Sequence, residues 1–164
     1  MDNNKGTMEI TKISQDGFKI KGKKITITSV PLGKSMILSG LDREEFVVPG
    51  PGEYEIGGVD IFGEKEIYSV VIDDISVCFF GDYGKKLSEA ELDKIGTIDI
   101  LLVSAVVDGE TIAKLEARVV IPCGKEEDIA KFVKELGAEG AVSQPKYVIS
   151  KDKLPETTMV IILK

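Results

Sequence analysis

The sequence has 164 residues, of which 43% are hydrophobic and 30% are charged, and its formal net charge is −7. This length and composition indicate one globular domain and exclude a disordered or fibrous chain. No apolar run approaches the roughly 18–20 residues needed to span a bilayer, and an acidic chain disfavours binding to a phosphate backbone.

The N-terminus is polar and lacks the hydrophobic stretch of a signal peptide. We therefore expect a cytoplasmic protein in which residues 1–7 are poorly ordered and residues 8–164 form a single domain. The Lys-rich stretch Lys19–Lys24 alternates with Phe18, Ile20 and Ile25. This alternation favours a hairpin with a solvated outer face over a nucleic-acid patch. With the acidic charge and the lack of a long apolar run, neither a nucleic-acid partner nor a membrane partner is predicted.

The first half of the chain has the pattern of short β-strands separated by turns. Segments rich in Ile, Val, Thr and Phe alternate with turn signals such as Asp16-Gly17, Pro49–Gly52 and Gly57-Gly58. The predicted strands cover Met8–Ile13, Gly17–Ile20, Lys24–Thr28, Ser35–Leu38, Glu45–Val48, Tyr54–Ile56, Val59–Phe62, Glu66–Asp73 and Ile75–Phe80.

The second half of the chain changes to a helical period. Ser88 and Glu91 form a capping box before an apolar run, and Gly96 marks the end of the first helix. The predicted helices cover Glu89–Ile95, a segment capped by Asp108 that reaches about Glu116, and Glu126–Leu136; the predicted strands cover Ile98–Val103, Arg118–Ile121 and Thr158–Leu163. The expected fold class is therefore α/β, a layered sandwich of mixed sheets with helices mainly in the C-terminal half.

The sequence contains no histidine. Histidine is the usual imidazole ligand for zinc and the usual general base near neutral pH. Any mechanism that needs either role is excluded, whatever the fold. The two cysteines, Cys78 and Cys123, lie far apart and form no Cys-x-x-Cys motif. We expect them to be buried free thiols.

Five segments carry recognisable patterns in a fixed order. They are Met8–Ile20, Val48–Val59 with its Gly-Pro-Gly-Glu-Tyr-Glu run, Val77–Gly84 with its Gly-Asp pair, Ile98–Val103 and Arg118–Pro122. Together they resemble the small metallo-β-lactamase-fold hydrolases of the ascorbate-6-phosphate-lactonase-like branch, over about residues 8 to 163. The resemblance implies an αββα sandwich, here truncated. It also implies a family site in which one or two metal ions activate water.

The departures from this family fall on its metal ligands. The signature His-x-His-x-Asp-His should lie where this chain has Ser35–Phe46, a stretch with neither the motif nor room for the helix that follows it. The family's opening turn commonly carries Gly-His-Ser, and here it reads Ser14-Gln15-Asp16. The histidine expected after Arg118–Ile121 is replaced by Gly124. Of the usual ligands only the Gly-Asp aspartate remains, as Asp82.

One carboxylate does not hold a catalytic zinc, which takes about three protein ligands. A weak site can be imagined from Asp82, Cys123 and either Asp42 or Glu44, because Cys123 lies beside the lost histidine position. The simpler interpretation of Asp82 is a turn residue between a strand and the next helix. We therefore predict no catalytic residue, no metal site and no cofactor, and the sequence identifies no ligand-binding residue.

The function favoured by the sequence is a catalytically inactive protein of this fold that acts as a binding, scaffold or self-associating module. The trimmed first half is expected to expose one side of the sandwich, so the predicted partner is a second copy or another protein. The alternative is a metal-dependent hydrolase with a non-standard site around Asp82 and Cys123. A third hypothesis is a regulatory module that binds a small anion or a nucleic acid at the former active-site end.

Overall fold

The structure is a computed structural model that describes residues 7–40, 44–82 and 86–164. The elements in the first half are β1 (Thr7–Ser14), β2 (Gly17–Lys21), β3 (Thr26–Ser29), β4 (Ile37–Ser39), β5 (Phe46–Val47), β6 (Gly52–Ile56), β7 (Val59–Glu64), β8 (Ile67–Ile72) and β9 (Ile75–Phe80). The elements in the second half are α1 (Glu89–Ile95), β10 (Ile100–Ser104), α2 (Gly109–Leu115), β11 (Val119–Cys123), α3 (Glu126–Glu135), β12 (Val142–Gln144), β13 (Tyr147–Ser150) and β14 (Met159–Leu163).

The strands form two sheets. The six-stranded sheet has the order β13-β1-β2-β3-β4-β5, and every neighbouring pair in it is antiparallel. The eight-stranded sheet has the order β12-β14-β11-β10-β9-β8-β7-β6. Its strands β6 to β9 pair antiparallel, while β9, β10, β11, β14 and β12 run parallel to one another. The pairing changes from antiparallel to parallel at β9, the strand that precedes the first helix, α1.

The main core lies between the two sheets. Side chains alternate along each strand, so that Ile20 on β2 is fully buried while its neighbours Lys19 and Lys21 are exposed. Inward-facing residues of both sheets, such as Ile27 and Phe79, belong to one apolar cluster. The predicted hairpin with a solvated outer face is confirmed by this alternation.

A second core lies between the eight-stranded sheet and the helices. Phe80 and Leu101 face this side and share an apolar cluster with Ile112 of α2 and Phe132 of α3. The mixed α/β sandwich with helices in the C-terminal half is therefore confirmed. Within the described ranges the outer face of the six-stranded sheet carries no helix. The order of layers there is sheet, sheet, helices.

All of the predicted strands and helices are present, with small changes at their ends. Two strands were missed, β12 and β13, together with the 3-10 turn Lys151–Lys153 that follows β13. Poor order was expected for residues 1–7; Thr7 instead begins β1, and residues 1–6 lie outside the described ranges. None of the helices in the described ranges is long and apolar enough to cross a bilayer.

Candidate functional site

The candidate site lies at the carboxyl ends of the parallel strands, the edge where open α/β sheets place their ligands. Asp82 follows β9, and Cys123 ends β11. Strand β10 lies between these two strands, with Val103 opposite both Phe80 and Pro122. Neighbouring strands lie about 4.8 Å apart, so β9 and β11 are roughly 10 Å apart. The fold therefore brings Asp82 and Cys123 to the same edge but leaves a strand between them.

The glycine of the Gly-Asp motif is required by backbone packing. A Cβ atom on Gly81 would lie 2.3 Å from the carbonyl oxygen of Leu32, in the loop after β3. The Gly81 N–H also donates a hydrogen bond of 2.8 Å to the carbonyl of Glu66. The same loop supplies Gly33, whose φ is 78° and whose Cβ would meet the Glu66 carbonyl oxygen at 2.3 Å. The glycine of this motif thus has a structural reason to be present that involves no metal.

Asp82 is exposed and lies in the connection between β9 and α1. Of the other candidate ligands, Glu44 is exposed just before β5, the edge strand of the six-stranded sheet, and Asp42 lies outside the described ranges.

Cys123 is 2% exposed, and burial raises the pKa of its thiol to about 12. Lys12 lowers this pKa and Asp16 raises it, so both charged groups lie near the thiol from the first hairpin. A metal binds the thiolate, and burial disfavours that form of Cys123. Cys78 is also buried and free, which confirms the expectation of two buried thiols.

Gly124, at the position where the resemblance predicts a histidine, has a backbone φ of 143°. Residues with a side chain rarely adopt this conformation. The preceding residue, Cys123, accepts a hydrogen bond of 2.8 Å at its carbonyl from the N–H of Ala105, which fixes the chain at this turn. A histidine placed at 124 would therefore be strained in the present backbone.

The described side chains at this edge do not fit a catalytic zinc ion. In the described part of the chain no three residues among His, Cys, Asp and Glu are grouped so that they could hold a metal. The two described candidates are an exposed carboxylate, Asp82, and a buried, protonated thiol, Cys123.

The sequence did not reveal the two charged residues near Cys123, Lys12 and Asp16, or the groove that Lys12 lines. A groove of about 600 Å³ runs between α3 and the ends of β12 and β14, and Lys12, Ile129 and Ile162 are among its lining residues. Lys12 occupies the inward-facing phase that Met8 and Ile10 set along β1. A charged residue at an inward-facing position of β1 is the sequence feature that could have indicated a polar environment near this groove.

The comparisons with known proteins agree with the fold. A family model described as the β-lactamase superfamily domain matches residues 24–124, more than half of the chain, so this chain belongs to the β-lactamase superfamily. The structure is similar to the crystal structure of a protein from Thermotoga maritima, described as a proposed Zn-dependent hydrolase of the metallo-β-lactamase superfamily.

That similarity has a TM-score of 0.73 at 21% sequence identity and covers 95% of this chain and 98% of the other. At this identity the likeness shows the fold alone. A search of curated proteins found no match. The resemblance and the fold expected from the sequence are confirmed by these findings at the level of the superfamily.

Proposed function

We propose that this chain is a non-catalytic member of its superfamily that works as a binding, scaffold or self-associating module in the cytoplasm. The observation that carries the proposal is the end of β11. There the thiol of Cys123 is buried and its pKa is raised, and Gly124 has a backbone φ at which a histidine would be strained. A metal binds the thiolate or a neutral imidazole, and here burial disfavours the thiolate of Cys123 while the chain contains no histidine.

The polar groups of the fold support the same proposal. In the described ranges no buried side-chain nitrogen or oxygen atom lacks a hydrogen-bond partner. Buried ligands left without their metal would be costly, because an unpaired buried polar group or charge costs several kcal/mol. The edge around Cys123 and Gly124 carries no such cost, so the domain is expected to be stable without a metal.

The rival proposal is a metal-dependent hydrolase with a non-standard site around Asp82 and Cys123. It requires Cys123 to lose a proton that its burial retains, and it requires ligands to reach across β10. Among the described residues no observation favours it over the non-catalytic proposal.

Elemental analysis separates the two proposals. The wild type is purified without chelator, together with the variants Asp82→Ala and Cys123→Ser and the matched control Cys78→Ser. Each of these proteins is expected to contain only substoichiometric metal. Cys78 is the suitable control because it is also a buried thiol but belongs to the helix-side core. Stoichiometric zinc, manganese or iron that is lost in the Asp82 and Cys123 variants and kept in the Cys78 variant would overturn the non-catalytic proposal.

The proposed partner is a second copy of the chain or another protein. The support is the outer face of the six-stranded sheet, which the described helices leave uncovered. Sedimentation velocity at high micromolar concentration is expected to show species larger than a monomer. A monomer at every concentration would count against self-association and would leave a different protein as the partner.

A further inference from the structure

Charge is unevenly divided between the two parts of the chain. Residues 7–40, which supply most of the six-stranded sheet, contain six lysines and two carboxylates, a net charge of +4. Residues 44–82 and 86–164 contain twelve Lys and Arg residues and twenty-four Asp and Glu residues, a net charge of −12. The chain therefore carries a basic region within a strongly acidic molecule.

Two of these six lysines lie on the outer surface of the six-stranded sheet. Lys19 and Lys21 point outward from β2, near the middle of the six-stranded sheet, and both are exposed. Their cross-strand neighbours on β3 are Thr28 and Thr26. On the same face, at the edge of the sheet, Val47 is 58% exposed. We call this surface, the outer side of β2 to β5 around Lys19 and Lys21, the basic face.

An acidic surface lies on the outer side of the other sheet. Glu53 and Glu55 on β6 and Asp60 on β7 are exposed, and Glu55 is the direct cross-strand partner of Asp60. Like charges directly opposite each other destabilise a strand pair. None of these three carboxylates is within 4.0 Å of a Lys or Arg nitrogen in the described residues. We call this surface, the outer side of β6 and β7, the acidic face.

We infer that the basic face of one copy docks on the acidic face of a second copy. The inference rests on the self-association in the proposed function and names the surfaces that produce it. Lys19 and Lys21 are two residues apart on one strand, as are Glu53 and Glu55. Side chains on one face of a strand repeat about every 6.6 Å, and packed sheets lie about 10 Å apart, so the two lysines meet the two glutamates at matching spacing.

Apolar side chains accompany the charges on both faces. Val47 lies beside the basic face and is 58% exposed, and Val71, the cross-strand partner of Asp60, is 41% exposed beside the acidic face. Their burial between copies adds a hydrophobic contribution to the ion pairs, which by themselves contribute little at an exposed surface. Docking also places cations opposite the Glu55–Asp60 pair and relieves its repulsion.

The geometry determines what kind of assembly results. The two faces lie on the outer sides of different sheets, so each copy presents one face of each kind on opposite sides of the sandwich. A contact between unlike surfaces is heterologous and continues beyond a dimer unless it closes into a ring. The assembly is therefore expected to extend past the dimer with rising concentration and to dissociate with rising salt.

Charge reversal tests the inference by sedimentation velocity. The double variants Lys19→Glu with Lys21→Glu, and Glu53→Lys with Glu55→Lys, are each expected to be monomeric where the wild type associates. An equimolar mixture of the two is expected to associate again, because one variant then has two acidic faces and the other two basic faces. The double variant Glu135→Lys with Glu139→Lys makes the same charge change at exposed positions elsewhere and is expected to associate like the wild type.

The outcomes distinguish this inference from the proposal beneath it. Wild-type association that persists in both reversal variants overturns the inference and leaves self-association standing. A wild type that is monomeric at low salt and high micromolar concentration overturns both this inference and the proposed self-association. Circular dichroism and thermal melting establish that each variant is folded. If a variant is not folded, the salt dependence of wild-type association tests the inference instead. The Debye length falls from about 20 Å to about 4 Å between roughly 0.02 and 0.5 M salt. Association that does not change over this range overturns the inference.

Discussion

The carboxylate of Asp99 is buried and forms an ion pair with Lys151, with 2.9 Å between Oδ2 and Nζ. The same oxygen accepts a hydrogen bond of 2.9 Å from the backbone N–H of Ser76 at the start of β9. Lys151 follows β13, a strand of the six-stranded sheet, while Asp99 precedes β10 in the eight-stranded sheet. This ion pair therefore joins the two sheets at the amino ends of the parallel strands, opposite the candidate site.

Removing the buried partner of this pair is expected to destabilise the fold more than removing the exposed one. Asp99→Ala leaves the Ser76 N–H without its acceptor and should lower the free energy of unfolding by about 2–4 kcal/mol. Lys151→Ala should cost less, about 1 kcal/mol, because the lysine side chain is 53% exposed and the carboxylate keeps its bond to Ser76. Urea unfolding measures both effects, with Lys153→Ala in the same turn as control. Equal losses for Asp99→Ala and Lys151→Ala would contradict this account.

A second prediction concerns the glycine of the Gly-Asp motif. Gly81→Ala is expected to lower the free energy of unfolding by about 1–3 kcal/mol, because the new methyl group meets the Leu32 carbonyl and the loop after β3 must move. Gly140→Ala is the control, since nothing lies within 4 Å of a Cβ at that position. The measurement is thermal or urea unfolding. A loss no larger than that of Gly140→Ala would show that packing does not require the glycine at 81.

The parts of the fold that were predictable are those encoded by neighbouring residues. The bounds of α1 follow from a capping box in which Ser88 accepts from the N–H of Glu91 at 3.1 Å, and from Gly96, whose φ is 71°. Strands β12 and β13 have no such signals. Strand β13 is four residues long, and its partner is β1 at the other end of the chain, so only a distant contact makes it a strand.

The candidate site was predictable in part. The absence of histidine could be read directly from the sequence. The sequence also placed Asp82 and Cys123 after strands of the core, but it could not show that β10 lies between those two strands. The burial that keeps Cys123 protonated, and the charges of Lys12 and Asp16 near it, come from chain segments more than 100 residues apart. Local patterns carry no information about such contacts.

A third prediction concerns the start of α2. The Asp108 carboxylate accepts a hydrogen bond of 2.8 Å from the N–H of Thr111, and this bond holds the pKa of Asp108 below its usual value. Asp108→Ala is expected to cost about 1 kcal/mol at pH 7. A depressed pKa adds stability that is present above the unfolded value of about 3.9 and is lost as the pH falls through the folded value.

The difference between wild type and Asp108→Ala in urea unfolding should therefore shrink as the pH is lowered below about 4. Asp108→Asn is the matched control, because asparagine also caps helices but does not titrate. Its unfolding free energy should lie within a few tenths of a kcal/mol of the wild type at pH 7 and should not share the loss at low pH. A penalty for Asp108→Ala that is constant down to pH 2.5 would argue against a role for the charged carboxylate.

The fourth prediction concerns the two buried thiols. Burial raises the pKa of Cys78 to about 12 and that of Cys123 to about 12, whereas an unfolded cysteine ionises near pH 8.5. The native protein should therefore resist alkylation by iodoacetamide at pH 8, and both thiols should react once urea unfolds the chain. Rapid alkylation of Cys123 in the native state would indicate an accessible thiolate and would favour the metal-site proposal.

The same shifts predict how stability depends on alkaline pH. A raised pKa means that the native state holds a proton that the unfolded state has released, so the stability it contributes is complete below about pH 8.5 and declines as the pH rises towards 12. Each thiol contributes a slope of about 1.4 kcal/mol per pH unit within that window. Cys123→Ser removes one titrating group, so its unfolding free energy should fall less steeply than that of the wild type between pH 9 and pH 10.5, by about that amount per unit. Parallel slopes for the two proteins would mean that Cys123 ionises equally in the folded and unfolded chains, and that the end of β11 is open to water.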